Sequence, residues 1–159
     1  MRKALSLLLI LTTVVILSNC KKADPPDLPV FTITLSDTPS ITLNNVTPII
    51  VTQFEDEITF TISYEDGNGD LGHENADSMT IWLIDNRNTD ELIQKFHLAP
   101  ITPAGQEIAV RGVLNINLDH TAILDNNNTQ ETTTYTIKIK DRAGNWSNEV
   151  TSGTITINE

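Results

Sequence analysis

The sequence predicts an all-β protein, a two-sheet sandwich of about seven strands, on three observations. Thr, Ile and Val fill 43 of the roughly 140 positions that follow a leader-like start, all of them from residue 30 onward, and these β-branched residues suit a pleated surface. Apolar and polar residues alternate with period two in several short runs. Turn-forming clusters separate those runs at intervals of about 8 to 12 residues, and no helical period persists.

Taken in order, Phe31, Ile33 and Leu35 alternate first. Residues 57–65 place Ile58, Phe60, Ile62 and Tyr64 on one face, which reads as a strand with its other face wet. Residues 78–85 are apolar on both faces from Met79 to Ile84 and read as a central strand, with Trp82 expected in the core. Residues 91–98 are mixed and read as a strand nearer an edge. Three further strands are expected at 108–118 (Leu114, Ile116, Leu118), 135–140 (Tyr135, Ile137, Ile139) and 149–157 (Ile155, Ile157). Turns fall at 66–72, 85–90, 99–105, 125–130 and 141–148.

The chain has 159 residues, room for one ordinary domain, placed at 30–159. Its formal charge is −11, and −13 once Arg2 and Lys3 leave with the leader, so phosphate backbones are repelled and no nucleic acid is expected as a partner. Such a surface suits divalent cations, cationic partners or solubility alone. His73, His97 and His120 lack zinc-ligand spacing, and Ser63, Ser78 and Ser147 lack a nucleophile-elbow context, so no catalytic residue is assigned and no enzyme is expected. With the single cysteine Cys20, no disulfide can form within the chain.

Residues 1–19 read as a signal peptide: Arg2 and Lys3, an apolar run too short for a comfortable membrane span, then small or polar residues before a cysteine. Leu17-Ser18-Asn19-Cys20 resembles the lipobox of bacterial lipoproteins. The resemblance implies cleavage before Cys20, acylation of that cysteine with palmitate-type chains, and anchoring to a membrane through the lipid. Residues 20–29, with Pro25, Pro26 and Pro29, read as an extended tether. In such lipoproteins an aspartate after the cysteine favours inner-membrane retention, whereas Lys21 stands here and implies the outer membrane, at the periplasmic face or the cell surface.

Lys140-Asp141-Arg142-Ala143-Gly144-Asn145-Trp146-Ser147-Asn148 and its flanks, residues 135–157, resemble the last hairpin of fibronectin type III-like and other immunoglobulin-like domains of bacterial surface proteins. The resemblance covers about a sixth of the chain and implies an immunoglobulin-like fold, with no statement about activity.

The acidic stretch 65–77 carries oxygen-bearing side chains at every second position from Asp66 through Asn68 to Asp70, with Gly67 and Gly69 between them. That spacing lets a curled backbone point several oxygens at one hard cation, and Glu74 and Asp77 can complete the shell. The stretch resembles the Asp-x-Asp-x-Asp calcium loops and, more closely, the Asp-Gly-Asp-Gly-Asp-Ile-Gly loop of Bacteroidetes-type lipoproteins, which implies calcium as cofactor. It departs from an EF-hand in having Leu71 where that loop's glycine belongs and strands on both sides. A solvated turn is an equally good reading of the same residues.

In the sandwich topology the loop after residue 140 shares an end with this stretch, bringing Asp141 and Asn145 toward Asp66. Trp146 there either packs on the sandwich end or offers its ring to a glycan or another envelope protein. The function expected is therefore a non-catalytic binding or scaffolding module of the cell envelope. A small metal-assisted hydrolase using His73, Asp70 and Glu74, and a purely structural envelope component, are the other readings.

Overall fold

Ten β-strands and no helix make up the regular structure of the residues described by the computed structural model, 35–159 without Thr89 and Ala104. The leader, Cys20, the tether and the alternation at Phe31 and Ile33 lie outside the described residues. Strands β1 (Ser40–Thr47), β3 (Ile58–Asp66) and β6 (Val110–Leu118) form one antiparallel sheet in the order β1-β3-β6. Strands β4 (Met79–Asp85), β5 (Ile93–His97), β8 (Tyr135–Ile139) and β9 (Val150–Thr151) form another, ordered β5-β4-β8-β9. A third, smaller sheet joins β2 (Ile50–Thr52), β10 (Ile155–Asn158) and β7 (Gln130–Thr133) in the order β2-β10-β7, with β2 parallel to β10.

The inward phase of each strand builds one core. Ile58, Phe60 and Ile62 of β3 and Ile116 and Leu118 of β6 meet Ile81 and Leu83 of β4 and Tyr135, Ile137 and Ile139 of β8. Phe60 and Tyr135 make an edge-to-face contact across it, with centroids 5.3 Å apart. The expected sandwich is present, with the central position of β4 and the edge position of β5 as the residue patterns suggested.

Strand number exceeds the seven expected, for identifiable reasons. The run 149–157 is two strands, because one extra residue intervenes between the Thr136↔Thr151 pair and the Thr133↔Ile155 pair, a bulge at residues 152–154. Ser152 bridges it by accepting the Tyr135 N–H on its Oγ (2.9 Å) while its own N–H donates to the Tyr135 carbonyl. Ser147 repeats the device at the other end of β8, on Ile139. Trp82, expected in the core, instead lies half-buried on the outer face of its sheet, because inward positions of β4 are Ile81, Leu83 and Asp85.

Candidate cation site at the Asp66 end

Two aspartates extend the inward phases of strands from opposite sheets. Asp66 continues the series Ile58, Phe60, Ile62 at the end of β3 and has no exposed surface. Asp141 continues Tyr135, Ile137, Ile139 just past β8 and is 2% exposed. An isolated bridge between Leu71 and Asp141 brings the two turns together, so both carboxylates cap the core at one end.

The turn 66–72 is pinned to its surroundings. The Arg142 N–H donates to the Asp70 carbonyl (3.1 Å), and the Ala143 N–H donates to Asp70 Oδ2 (3.2 Å). The Gly67 N–H reaches the Ser36 carbonyl, and the Ile108 N–H reaches the Asn68 carbonyl. Gly69 and Gly72 have φ of 70° and 79°, and a Cβ at either would strike a neighbouring carbonyl, of Ile108 and Ala99 respectively. The backbone is therefore drawn against the sandwich more closely than any other residue allows.

Asp66 differs sharply from an ordinary buried carboxylate. Neither of its oxygens has a hydrogen-bond partner, and Asp70 Oδ1 and Arg142 Nη1 are likewise buried and unpartnered. Burial first, then the negative charges of Asp70 and Asp141, push the Asp66 carboxyl up to about 6, although the nearby N–H groups of Asp70 and Gly69 oppose them. Those amides favour the ionised form without closing a hydrogen bond. Asp70 is raised by burial and then by Asp141, with Ala143 N–H and Arg142 holding it back. Among the described residues no Lys, Arg or His stands within ion-pair distance of Asp66, Asp70 or Asp141.

The opposite end of the core provides a built-in comparison. Asp85 also continues an inward phase, after Ile81 and Leu83, and is 5% exposed. Arg87 satisfies it, with Nη2 at 2.6 Å from Oδ2 and Nε donating to both oxygens, and the Thr133 hydroxyl adds a further bond. Burial alone would raise Asp85, but these bonds outweigh it and hold the carboxyl below its usual range. Arg87 also pairs with Glu131 at 2.7 Å. One end of the sandwich holds its carboxylate in an ion pair, whereas at the Asp66 end Arg142 stands near enough to hold Asp70 back but closes no ion pair with Asp66, Asp70 or Asp141.

The remaining residues of the acidic stretch are placed differently. Asn68 Oδ1 accepts the Asp70 N–H (3.2 Å), a bond within the turn. Glu74 and Asp77 are exposed, in a separate turn held by the Asp77 N–H on Asn75 Oδ1 and the Asn75 N–H on His73 Nδ1. Neither is hydrogen-bonded to Asp66, Asp70 or Asp141. Asn145 is tied to Asp141, its N–H donating to Oδ1 (2.7 Å) and its side-chain amide to Oδ2 (2.9 Å). Among the described residues no three His, Cys, Asp or Glu side chains are already gathered about one point to hold a metal.

A cavity of about 230 Å³ beside this end is lined by His73, Thr80, Lys140, Asp141 and Arg142, with Asp141 its one carboxylate. Trp146 is half-buried against Trp82, with ring centroids 4.9 Å apart. Asn148 is given no role by the sequence, yet its side-chain amide accepts the Ile41 N–H and donates to the Ile41 carbonyl, tying edge strand β1 to this end. Only the Asx-rich composition of the turn hinted at it. Neither family models, nor curated proteins, nor solved structures yield a match to the chain.

Proposed function

We propose that this chain is a lipid-anchored, non-catalytic module of a bacterial outer envelope: an immunoglobulin-like sandwich on a short tether, with its Asp66 end organised by one calcium ion. The observation that carries the cation is the Asp66 carboxylate, buried with both oxygens unpartnered beside Asp70 and Asp141. A charge so placed needs a counter-charge or a proton, and a hard divalent ion supplies the first. Oxygens alone are on offer, from carboxylates, Asn68 and turn carbonyls, a set that suits calcium better than zinc or copper. Binding requires the Asp70 and Asp141 carboxylates to turn toward Asp66. The exposed Glu74 and Asp77 are left out of the proposed set.

The strand orders β1-β3-β6 and β5-β4-β8-β9 support the immunoglobulin-like reading, as does β2 running parallel to β10. The anchor rests on Cys20 and the leader before it. A metal-assisted hydrolase called for His73 with at least two carboxylates in one pocket, and the neighbouring cavity offers one.

Thermal melting of the chain from Lys21 onward, in chelator and then in calcium or magnesium, tests the cation. Calcium at about 100 times its dissociation constant should add roughly 2.7 kcal/mol and raise the midpoint by several degrees, with magnesium much weaker. Coincident curves would leave the acidic stretch a turn. Labelled palmitate incorporated by the expressed chain, and lost on Cys20→Ala, tests the anchor.

A further inference from the structure

The outer face of the β5-β4-β8-β9 sheet concentrates a chemistry found nowhere else among the described residues. Lys95, Trp82 and Lys138 stand in one cross-strand row, each in register with the next. Trp146, bridged to Lys140, packs its ring edge-on against Trp82. Lys95 Nζ lies 4.7 Å from the Trp82 ring centroid, Lys138 Nζ lies 5.4 Å from Trp82 and 5.1 Å from Trp146, and Lys140 Nζ lies 5.2 Å from Trp146. These are both tryptophans of the chain and all three lysines of the described residues, which carry nineteen Asp and Glu. Dispersed lysines would relieve that acidity better. Among the described residues only Lys138 has a carboxylate partner, Glu149 at 2.9 Å, and Lys95 and Lys140 have none.

We propose that this face binds an acidic polysaccharide, its carboxylates taken by Lys95, Lys138 and Lys140 and a sugar ring laid against the indoles. Indole rings receive the C–H faces of a pyranose, while ammonium groups receive its carboxylates. Lys95 and Lys138 are two strands apart, roughly 10 Å, and Lys138 and Lys140 are two residues apart along the chain, roughly 7 Å. These are backbone spacings, and the ammonium groups converge on the two indoles, so a chain with a charge on successive units can meet all three lysines while its rings lie along the tryptophans. The overall negative charge opposes such a ligand at long range, but the screening length of about 8 Å at physiological salt leaves the local row in control. Of the large exposed apolar side chains, Ile50, Phe54 and Val113 lie away from the row and Met79 borders it beside Lys140, and a single methionine is too little apolar surface for a bilayer that binds by insertion. The preference for a glycan over single-stranded nucleic acid, which also stacks on aromatics, rests on the envelope address proposed above.

Because both tryptophans lie here, tryptophan fluorescence, excited beyond the absorption of Tyr64 and Tyr135, reports on this face. The chain from Lys21 onward, whose core runs wholly through described residues from Ile41 to Ile157, is titrated in chelator with polygalacturonate, dextran, oligo-thymidylate and anionic phosphatidylglycerol vesicles. Polygalacturonate should give a saturable change that weakens with salt, dextran should give none, and the Lys95→Gln/Lys140→Gln double variant should bind at least ten-fold more weakly with an unchanged midpoint of melting. No response, an equal response to dextran, tighter binding of oligonucleotide or vesicles, or full affinity in the double variant would overturn the proposal. Chelator keeps the outcome independent of the Asp66 end, and glycan binding by a chain never acylated at Cys20 would remove the anchor while leaving this face intact.

Discussion

Asp66 and Asp85 occupy equivalent places, each the last inward residue of a core strand, and their surroundings send their carboxyls in opposite directions. The Asp66 carboxyl is raised in the folded state, so the folded chain holds its proton more tightly than the unfolded one between about pH 4 and pH 6. Its contribution is therefore unfavourable above pH 6 and disappears as pH falls below 4. In chelator, Asp66→Asn should stabilise the chain at pH 7.5 by roughly 1 to 2 kcal/mol, a figure reduced for solvent screening, and the same substitution should abolish stabilisation by calcium. Denaturant melts with and without calcium check both signs. Destabilisation in chelator would mean that the carboxylate already has its counter-charge.

At the scale of elements, the turn 66–72 depends on glycines that no side chain can replace. Gly69→Ala would force a methyl group into the Ile108 carbonyl at a positive φ, and should cost about 1 to 3 kcal/mol, as Gly144→Ala, which meets open space at φ 93°, should cost less. The midpoints of the two variants test this ranking. The strands that the sequence announced are those with an unbroken inward phase, such as Ile58, Phe60, Ile62 and Tyr135, Ile137, Ile139. Those it concealed lack such a phase. In β1 a register shift between Leu43 and Asn45 breaks the alternation, β2 has three residues, and β7 reads Gln-Glu-Thr-Thr, with only Thr133 buried. Trp82 misled because an apolar residue on a central strand suits either face, and a tryptophan under lysine ammonium groups keeps to the outer one. The convergence of Asp66 with Asp141 followed from topology, whereas Glu74 and Asp77 belong to the same acidic stretch but sit in a turn of their own.

Across the whole molecule, the sandwich is capped at both ends by buried carboxylates, one end ion-paired with Arg87 and the other without an ion pair. Arg87→Met would strand the buried Asp85 without its partner and should destabilise by about 3 to 5 kcal/mol at neutral pH, measured by denaturant melts. Backbone amides of Leu124 and Asp125, with Arg87, hold Glu131 down at about 2, so its contribution is complete above its usual carboxylate range and is lost as pH falls toward 2. Asp85 loses its contribution in the same direction. Combined with Asp66 and Asp70, which work oppositely, this gives a definite profile in chelator: the melting midpoint rises as pH falls from 7 to about 4.5 and then drops. A profile that declines steadily from pH 7 would show the Asp66 end to be neutralised already.

The most direct test of the central claim is a calorimetric titration of the chain from Lys21 onward with calcium at pH 7.5, alongside Asp66→Asn and Asp141→Asn. The account predicts one calcium bound per chain, lost in Asp66→Asn and strongly weakened in Asp141→Asn. Absence of binding, or binding that survives both substitutions, would contradict it.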